Sequence, residues 1–536
     1  MKSDIANMAT SMLVCKSESR KSHPSEMRFN MENFTEGYVT AFPYTFGYYP
    51  ELNPARALLP ILRHGFAVPQ FKTACELGFG QGISINIHAA ASETEWWGTD
   101  FNPSQAAFAR HLARASGANI HLGDEPFAEF CLRDDLPMFD FIGIHGIWSW
   151  INDANRKAIV ELLKNRLAVG GILYISYNCH PGWAPMVPVR ELLELYGARC
   201  GKSLENGIGE ALEYASRLVD LDALYMKSQP GLQKRLDNLK NQNRAYLAHE
   251  YFNKSWDVMS FAKMAAWLAP AMLDYVCQAS YLDNVNILNL SSGQQALLDG
   301  IDDIPLRETT RDFIRNTQFR RDYWIKGKMA LPAFELRETI LSLKFIMLAQ
   351  RDAIELKARG SRAEANLDPG IYTPILNAFA DHKAHKLSEF AHTMHEANIS
   401  FPQLLEAITI LCGKNALAPV NDINRNIFDH CKRLDGLIEN WARSSSDIVF
   451  LASPLTGGGI QTDRFKQLFL LARRLGFRLP KDWAQFAWEQ LAAVNQKIIK
   501  DGVPLESPEE NLAELNIRAD DFAGPQLSIL EKLGIN

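Results

Sequence analysis

Short apolar segments alternate with amphipathic segments between residues 71 and 177. The apolar segments occupy residues 71–77, 95–99, 120–122, 139–145 and 172–177, and each has the length and composition of a strand. Helical periodicity follows near Ile83 and Pro103 and over residues 155–169, where Gly170-Gly171 would end the helix. Parallel strands that helices cover on both faces are apolar along their whole length. The alternation therefore predicts an α/β fold with a mostly parallel, Rossmann-like sheet.

The pattern changes after residue 185. Residues 186–250 are almost wholly helical and charged, and strands near 274–279 and 320–325 are expected to close the sheet as a pair. From residue 331 onward the pattern is mainly helical, with one strand-like run at 447–455. The expected organisation is a flexible tail (1–29), a cofactor-binding core (30–185), a helical middle or regulatory region that returns to the sheet (186–330) and a mainly helical C-terminal domain (331–536).

Composition argues against several classes of partner. The 536 residues carry a net charge of −6 and show no clustered basic stripe, so nucleic acid is not an expected partner. No run reaches the roughly 18 apolar residues of a membrane span, so we expect no membrane insertion. The eight cysteines are scattered without a CxxC pair, which suits a reducing compartment and predicts a cytoplasmic protein.

The central motif is a glycine-rich turn where the first strand ends and a helix begins. It reads ELGFGQG from Glu76 onward, with glycines at Gly78, Gly80 and Gly82. Glycine lets the backbone turn tightly there and lets a ligand approach the main chain. Three alternating glycines are weak evidence by themselves, so the neighbouring strand ends must decide what the turn binds.

Acidic residues follow the next two strands. Asp100 ends the second strand, with Asn102 two positions later, and Asp124 ends the third strand. The carboxylate of Asp100 can accept hydrogen bonds from two ribose hydroxyls. The adenine of a cofactor would lie near Asp124. Ligands of open α/β sheets bind outside the carboxyl ends of the strands, so these groups predict a site for a nucleoside-containing cofactor.

A dinucleotide and S-adenosylmethionine are the two cofactors to compare. The loop is GxGxG rather than the GxGxxG of dinucleotide-binding proteins, and Glu76 stands directly before it. A carboxylate repels a pyrophosphate but attracts an ammonium or a sulfonium. The motif therefore favours S-adenosylmethionine over NAD.

The same residues resemble a known family. ELGFGQG, TDFNPSQ (99–105) and the GD at Asp124 resemble the first three motifs of class I S-adenosylmethionine methyltransferases. The chain also resembles bacterial methyltransferases that carry a methyltransferase regulatory domain. That group includes outer-membrane-protein lysine methyltransferases. The segments that carry this resemblance are HGIWSWI (145–151), GGILYISYNCHPGW (170–183), YLAHEYFN (246–253), FRRDYW (319–324) and SPLTGGGI (453–460). The resemblance extends from about residue 38 to 536 and is closest in the catalytic part.

The resemblance implies a Rossmann-like core, a helical regulatory region and a C-terminal domain, and it allows a homodimer. It also implies that Glu76, Gly78, Gly80, Asp100 and Asp124 contact the cofactor. One departure concerns the acceptor. Some N-methyltransferases carry [DN]PP[YF] after strand four, whereas this chain has HGIWSW, so an amine acceptor cannot be assigned from that motif.

Aromatic residues are concentrated where an acceptor would bind. The candidates for substrate contact are Trp148 and Trp150 after strand four, Tyr177 and Trp183 around the end of strand five, and Tyr44, Tyr48 and Tyr49 in an N-terminal segment that would act as a lid. A lysine acceptor must lose its proton before it attacks, and a dry aromatic pocket lowers the pKa of its amine. Each of these residues would serve equally well in a core or an interface.

His145 and Asn178 are the polar groups nearest the expected point of methyl transfer. His145 would accept or relay a proton, or hydrogen-bond the cofactor. Asn178 would orient an acceptor amine through its carbonyl oxygen. The alternative interpretations are a structural histidine at a strand end and a turn asparagine before Pro181.

Other motifs suggest no metal or phosphate site. The His249-Glu250 pair lacks the second histidine of HExxH. His382, His385, His392 and His395 form a cluster in the sequence, and on one continuous helix the last three would lie on the same side. No set of cysteine or carboxylate ligands accompanies them, which favours a solvated helix face. The Gly457–Gly459 run lacks the GK[ST] ending of a phosphate loop and is interpreted as a turn.

The sequence thus predicts an S-adenosylmethionine-dependent methyltransferase that acts by in-line displacement. A lysine on a protein, such as a bacterial surface protein, is the acceptor that the resemblance implies. A small-molecule acceptor and a non-catalytic sensor or scaffold that binds S-adenosylmethionine remain alternatives. The sequence does not separate these functions, because methyl transfer needs no diagnostic catalytic residue.

Overall fold

A computed structural model describes residues 45–199, 204–422 and 424–536, so the predicted tail lies outside the described residues. Its central sheet has seven strands: β1 (Thr73–Leu77), β2 (Glu95–Thr99), β3 (Ile120–Gly123), β4 (Phe139–Ile144), β5 (Leu167–Asn178), β6 (Leu273–Gln278) and β7 (Phe319–Lys326). They lie in the order β3-β2-β1-β4-β5-β7-β6. Every neighbouring pair is parallel except those of β7, which runs antiparallel to β5 and β6. The expected Rossmann-like sheet and its closing pair are confirmed.

Helices cover both faces of this sheet and form the middle region. Up to β7 they are α1 (Pro54–Arg63), α2 (Ile83–Ala90), α3 (Pro103–Ser116), α4 (Phe127–Phe130), α5 (Asp153–Arg166), α6 (Val187–Arg199), α7 (Leu204–Asp220), α8 (Leu224–Lys227), α9 (Leu232–Lys240), α10 (Arg244–Tyr251), α11 (Phe261–Leu268), α12 (Asn286–Asn289), α13 (Ser292–Asp299) and α14 (Ile304–Arg315). Short 3-10 helices occupy Pro50–Leu52, Trp148–Trp150, Ala184–Met186, Ala269–Ala271 and Tyr281–Asn284. The helical character expected for residues 186–250 is confirmed.

Caps fix where the core helices begin. The Asn102 side chain accepts hydrogen bonds from the backbone N–H groups of Ser104 and Gln105, and Pro103 occupies the first turn of α3. The boundary after α5 differs from the expectation of a helix to residue 169. The helix ends at Arg166, and Gly170 lies inside β5 with a φ of +80°. A register shift against β4 accommodates this glycine, so the pair of glycines forms a bulge rather than a helix stop.

The C-terminal part is mainly helical, as expected, but it also contains short strands. Its helices are α15 (Ala333–Ser342), α16 (Pro369–Ala378), α17 (Leu387–Glu396), α18 (Phe401–Gly413), α19 (Arg425–Trp441), α20 (Arg464–Arg474), α21 (Pro480–Ala493), α22 (Pro508–Asp521) and α23 (Leu527–Lys532). A 3-10 helix (Arg351–Ala353) and a π-helical turn (Phe522–Gln526) accompany them. The strands are β8 (Lys344–Met347), β9 (Lys357–Arg359), β10 (Glu364–Asn366), β11 (His385–Lys386), β12 (Leu417–Pro419), β13 (Phe450–Ser453), β14 (Gly458–Gln461), β15 (Ile499–Lys500) and β16 (Val503–Pro504).

These strands form a three-stranded sheet, β11-β8-β12, and three hairpins. The strand-like run at 447–455 contains β13, which pairs with β14. The C-terminal part also shares a hydrophobic core with the first part of the chain. Ile87 of α2 and Leu112 of α3 belong to the same buried cluster as Leu434 of α19 and Leu468 of α20. Burial of this shared cluster attaches the C-terminal part to the helices of the seven-stranded sheet.

The buried side chain of Arg320 links strand β7 to helix α14 through ion pairs. The Arg320 side chain is 0% exposed, and its guanidinium donates to Glu308 (3.1 Å), Asp312 (2.8 Å) and Asp322 (3.0 Å). Tyr177 of β5 donates its hydroxyl hydrogen to Asp322 at 3.0 Å. Removal of one partner from a buried ion pair leaves an uncompensated charge, so this network depends on Arg320.

We predict that Arg320→Met destabilises the protein by about 3–5 kcal/mol, because the buried carboxylates of Asp312 and Asp322 lose their counter-charge, whereas Glu308 keeps Arg311. Urea unfolding followed by circular dichroism measures the change. Arg425→Met is the matched control, because Arg425 is exposed at the start of α19. Equal unfolding midpoints for the two variants would refute the prediction.

Candidate functional site

A cavity lies at the carboxyl ends of the parallel strands. Its lining includes Glu76, Gly78, Gly80, Asp100 and His145. These residues lie at the end of β1 or directly after β1, β2 and β4, which are adjacent in the sheet. The structure therefore brings together the side chains and glycines that the motifs predicted at this edge.

The glycine turn has the backbone geometry that its composition predicts. Gly78, Gly80 and Gly82 have φ values of +72°, +57° and +71°, which side chains of L-residues rarely adopt. A Cβ on Gly78 would lie 2.3 Å from the Ile147 side chain, so the turn also needs glycine for space. Gly82 caps α2 and packs against Ala109 rather than lining the cavity.

Asp100 holds the turn in place. Its Oδ2 accepts the Gly80 N–H at 2.8 Å, and its Oδ1 accepts the Asn102 N–H at 3.0 Å. Each carboxylate oxygen has a second lone pair, so both oxygens keep an acceptor site for a ligand. Burial raises the pKa of Asp100 to about 6, and the two N–H donors oppose that rise.

Glu76 is more strongly perturbed than Asp100. Burial, and secondarily the charge of Asp100, raise the pKa of Glu76 to about 8. Its Oε2 is buried and has no hydrogen-bond partner among the described residues. Buried polar atoms are almost always hydrogen-bonded, so this carboxyl suits a ligand that brings a donor or a positive charge.

His145 and Tyr49 form an aromatic wall of the same cavity. Their rings stack with centroids 3.7 Å apart, and His145 Nδ1 is hydrogen-bonded to the Tyr174 hydroxyl at 2.7 Å. Burial lowers the pKa of His145 to about 4, so the imidazole is neutral at pH 7. The exposed ring of Phe319 lies edge-on to His145 with centroids 6.1 Å apart.

Besides Gly82, two further residues of the predicted cofactor site lie outside the lining. Asp124 is exposed and pairs with Arg110 at 2.6 Å. Asn102 caps α3 with its side chain and reaches the site only through its backbone bond to Asp100. Direct contact of either residue with a cofactor stays a prediction.

Of the aromatic residues predicted to contact a substrate, Tyr49 and Trp150 line the cavity within the part of the chain described. Trp150 lies in the segment after β4. Its ring also faces the Arg190 guanidinium of α6, 5.8 Å from the ring centroid. Trp148 is fully buried and donates its Nε1 hydrogen to Met259 Sδ at 3.3 Å. Tyr44 lies outside the described residues.

The residues at the end of β5 are used in packing. Trp183 Nε1 donates to Asn178 Oδ1 at 3.1 Å, and the Asn178 N–H donates to Ser149 Oγ at 2.9 Å. The Tyr177 hydroxyl is bound to the Arg320 network through Asp322. None of Tyr177, Asn178 and Trp183 lines the cavity, so their roles toward a substrate stay predictions.

Tyr48 points away from the cavity that Tyr49 lines. Its hydroxyl accepts the Gly459 N–H at 2.7 Å, and its ring packs against Phe450 of β13. A Cβ on Gly458 would lie 2.5 Å from the Tyr48 hydroxyl oxygen. The turn expected at Gly457–Gly459 extends only to Gly457, because Gly458 and Gly459 begin β14. This hairpin receives a tyrosine from the N-terminal segment.

Sequence reasoning missed most of the apolar lining. The additional lining residues are Thr45, Gly47, Phe79, Gln81, Phe101, Gln105, Phe127, Gly146, Ile147 and Ile151. Most of them stand beside the motif residues, in turns that follow parallel strands. The sequence signal that could have identified these lining residues is their position directly after a parallel strand. That position does not indicate which side chains face the cavity.

The histidine cluster does not share one helix. α17 begins at Leu387, so His385 precedes it and bridges Asp381 (3.0 Å) and Glu389 (3.1 Å). His392 pairs with Glu396. Within residues 45–199, 204–422 and 424–536, no group of three or more His, Cys, Asp or Glu residues could hold a metal ion. No helix in the same ranges is long and apolar enough to cross a membrane.

Comparisons with known proteins agree with this architecture. Residues 243–326 match a family model described as "Predicted methyltransferase regulatory domain". The Synechocystis protein sll1526 is 37% identical over 510 residues, which cover 94% of this chain and 100% of that protein. The Rickettsia prowazekii protein RP789 is 25% identical over 296 residues, which cover 52% of this chain and 50% of that protein.

A solved structure has the same fold. PKMT2 from Rickettsia typhi, in complex with AdoHcy, matches with a TM-score of 0.64 and 16% identity over 92% of this chain and 99% of that chain. At this identity the likeness shows the fold alone. The chain belongs to the same family as the Synechocystis protein sll1526, and it joins a class I methyltransferase fold to a methyltransferase regulatory domain.

Proposed function

We propose that this protein is an S-adenosylmethionine-dependent methyltransferase. The observation that carries the proposal is the buried, unpaired carboxyl of Glu76 beside a left-handed glycine turn, with Asp100 on the next strand. The presence of AdoHcy in the structure of PKMT2, which shares this fold, supports the same assignment.

The residues present fit the cofactor. Glu76 would hold the ammonium of its amino-acid part, and the free lone pairs of Asp100 would accept hydrogen bonds from the ribose hydroxyls. Gly78 and Gly80 would let it approach the main chain. When bound, S-adenosylmethionine supplies a methyl group whose carbon accepts the lone pair of the acceptor while the electrons of its bond to sulfur stay on sulfur.

The chain's own groups would position the acceptor and exclude water. Tyr49, Trp150 and Ile151 line the cavity with apolar surface, which disfavours a protonated amine and thus lowers its pKa. His145 is neutral at pH 7, so it does not repel an approaching ammonium. A neutral amine is the form that attacks carbon, because only this form has a free lone pair.

We propose nitrogen as the acceptor atom, on the lysine side chain of a protein. The aromatic rings of Tyr49 and His145, with the exposed Phe319 beside them, suit the four-carbon stem and the amine of lysine. The six cysteines among the described residues are free thiols, which supports a cytoplasmic setting.

Cofactor affinity should depend on the ionisation of Glu76. An ammonium favours the charged carboxylate, so AdoHcy affinity should rise by up to tenfold per pH unit between pH 6.5 and 7.5, below the pKa of about 8. Calorimetric titration at each pH measures the affinity. In Glu76→Gln binding should be weaker and most of this slope should disappear.

Asp100→Asn and Asp274→Asn form a matched pair for the same titration. Asp100→Asn should weaken AdoHcy binding at least tenfold, since each charge-assisted hydrogen bond is worth about 1.5–3 kcal/mol. Asp274→Asn should bind within about twofold of wild type, because Asp274 is exposed on the edge strand β6 and lies outside the cavity lining. Failure of the intact protein to bind AdoHcy at any pH would refute the cofactor assignment.

Methyl transfer can be followed with methyl-labelled S-adenosylmethionine and bacterial surface proteins. We expect label in protein lysines and AdoHcy release, with both lost in Asp100→Asn. The matched control is the same protein mixture with its lysines acetylated, which should take up no label. Label confined to a small-molecule extract would refute the protein acceptor, and cofactor binding without AdoHcy formation would favour a sensor.

A further inference from the structure

A second cavity lies where α1 meets the C-terminal part of the chain. It is open on one side and is bounded by the start of α1, by β12 and by the β13–β14 hairpin. Asn53 and Arg56 lie on its α1 side, and Thr456 lies in the turn of the hairpin. Tyr48 borders this cavity, whereas Tyr49 borders the cofactor cavity.

Arg56 is a partly buried cation without an ionic partner. Its guanidinium makes no hydrogen bond or ion pair with any described residue, and its Nε is buried and unpaired. The guanidinium carbon lies 4.9 Å from the centroid of the Tyr281 ring. Glu51 is the carboxylate that interacts electrostatically with Arg56, but its Oε1 already forms an ion pair with Arg321 at 2.7 Å. The Nε side of this guanidinium is therefore buried without the counter-charge or hydrogen-bond partner that a buried cationic group normally has.

A second polar group in the lining also lacks a partner. The Thr456 side chain has an Oγ1 with no hydrogen-bond partner in the described part of the chain, although the residue is only 6% exposed. Arg56 is the one charged residue among the described residues of the lining, and none of these carries a carboxylate. The polar groups therefore offer donors and positive charge, which complement an anion.

Part of the remaining lining is apolar and aromatic, beside the side-chain amides of Asn53, Asn415 and Gln461. Leu348, Phe450 and Ile460 border the cavity together with the Tyr48 ring. A bare inorganic ion would leave this surface in contact with water, whereas an organic ligand would cover it. The composition of the lining thus favours an anion attached to an apolar body.

We propose that this cavity binds a small organic anion. Its carboxylate or phosphate monoester group would accept hydrogen bonds from Arg56 and from the Thr456 hydroxyl, and its apolar body would pack against Phe450 and Tyr48. The assignment goes beyond methyl transfer and does not depend on it, since none of these residues belongs to the cofactor lining.

Calorimetric titration of the full chain at low salt tests the proposal. The probes are phenyl phosphate and phenylacetate, with inorganic phosphate as the head group alone and benzylamine as a cation of the same shape. We expect one of the aromatic anions to bind with a Kd below about 1 mM, more tightly than inorganic phosphate, and benzylamine not to bind. The preferred anion identifies the head group. Absence of saturable binding by both aromatic anions, or equal binding of benzylamine, would overturn the proposal.

Two variants locate the binding site. Arg56→Gln should weaken binding of the preferred anion more than tenfold, and Thr456→Val should weaken it about threefold to tenfold through the lost hydrogen bond. Arg425→Gln removes an exposed arginine far along the chain and should leave the Kd unchanged. Binding that persists in Arg56→Gln overturns the assignment. If that variant does not fold, Arg56→Lys replaces it, and an unchanged Kd in both Arg56→Lys and Thr456→Val overturns the assignment as well.

Discussion

Burial of two carboxyl groups at one edge of the sheet constrains the structure around the cofactor site. Glu76 and Asp100 lie in a low-dielectric environment where their charged forms are disfavoured, which raises both pKa values. Asp100 is compensated by the backbone N–H groups of the glycine turn, whereas Glu76 Oε2 has no partner among the described residues. Ionisation of Glu76 in the empty site therefore costs free energy, and a cationic ligand offsets this cost. If both carboxylates were already compensated, the site would not favour a cationic ligand.

Two adjacent residues of the N-terminal segment, Tyr48 and Tyr49, border different cavities. Tyr48 is held by the Gly459 N–H of the C-terminal hairpin, and Tyr49 stacks on His145 in the cofactor cavity. Adjacent residues cannot move independently, so the position of the hairpin bears on the wall of the cofactor cavity. The shared hydrophobic cluster of α2, α3 and α19 holds the same two parts together over a larger area.

Some expectations failed because a local pattern does not report its tertiary partners. Gly170 was interpreted as a helix stop, but pairing of β5 with β4 places it in a bulge. His385 was placed on a helix by spacing, whereas its strand pairing with Phe345 puts it before the helix. Strand β8 was not predicted, because four residues give too short a pattern to distinguish a strand from a helical segment.

The sequence by itself determined the α/β class, the mostly parallel sheet with its closing pair of strands, and the acidic and glycine residues at the strand ends. Apolar periodicity and glycine conformation are local properties, and parallel strands place their carboxyl ends together. Only the tertiary structure decided which side chains face the cavity, for example Trp150 but not Trp148. It also decided that Arg56 stays without an ionic partner, because pairing and burial depend on segments hundreds of residues apart.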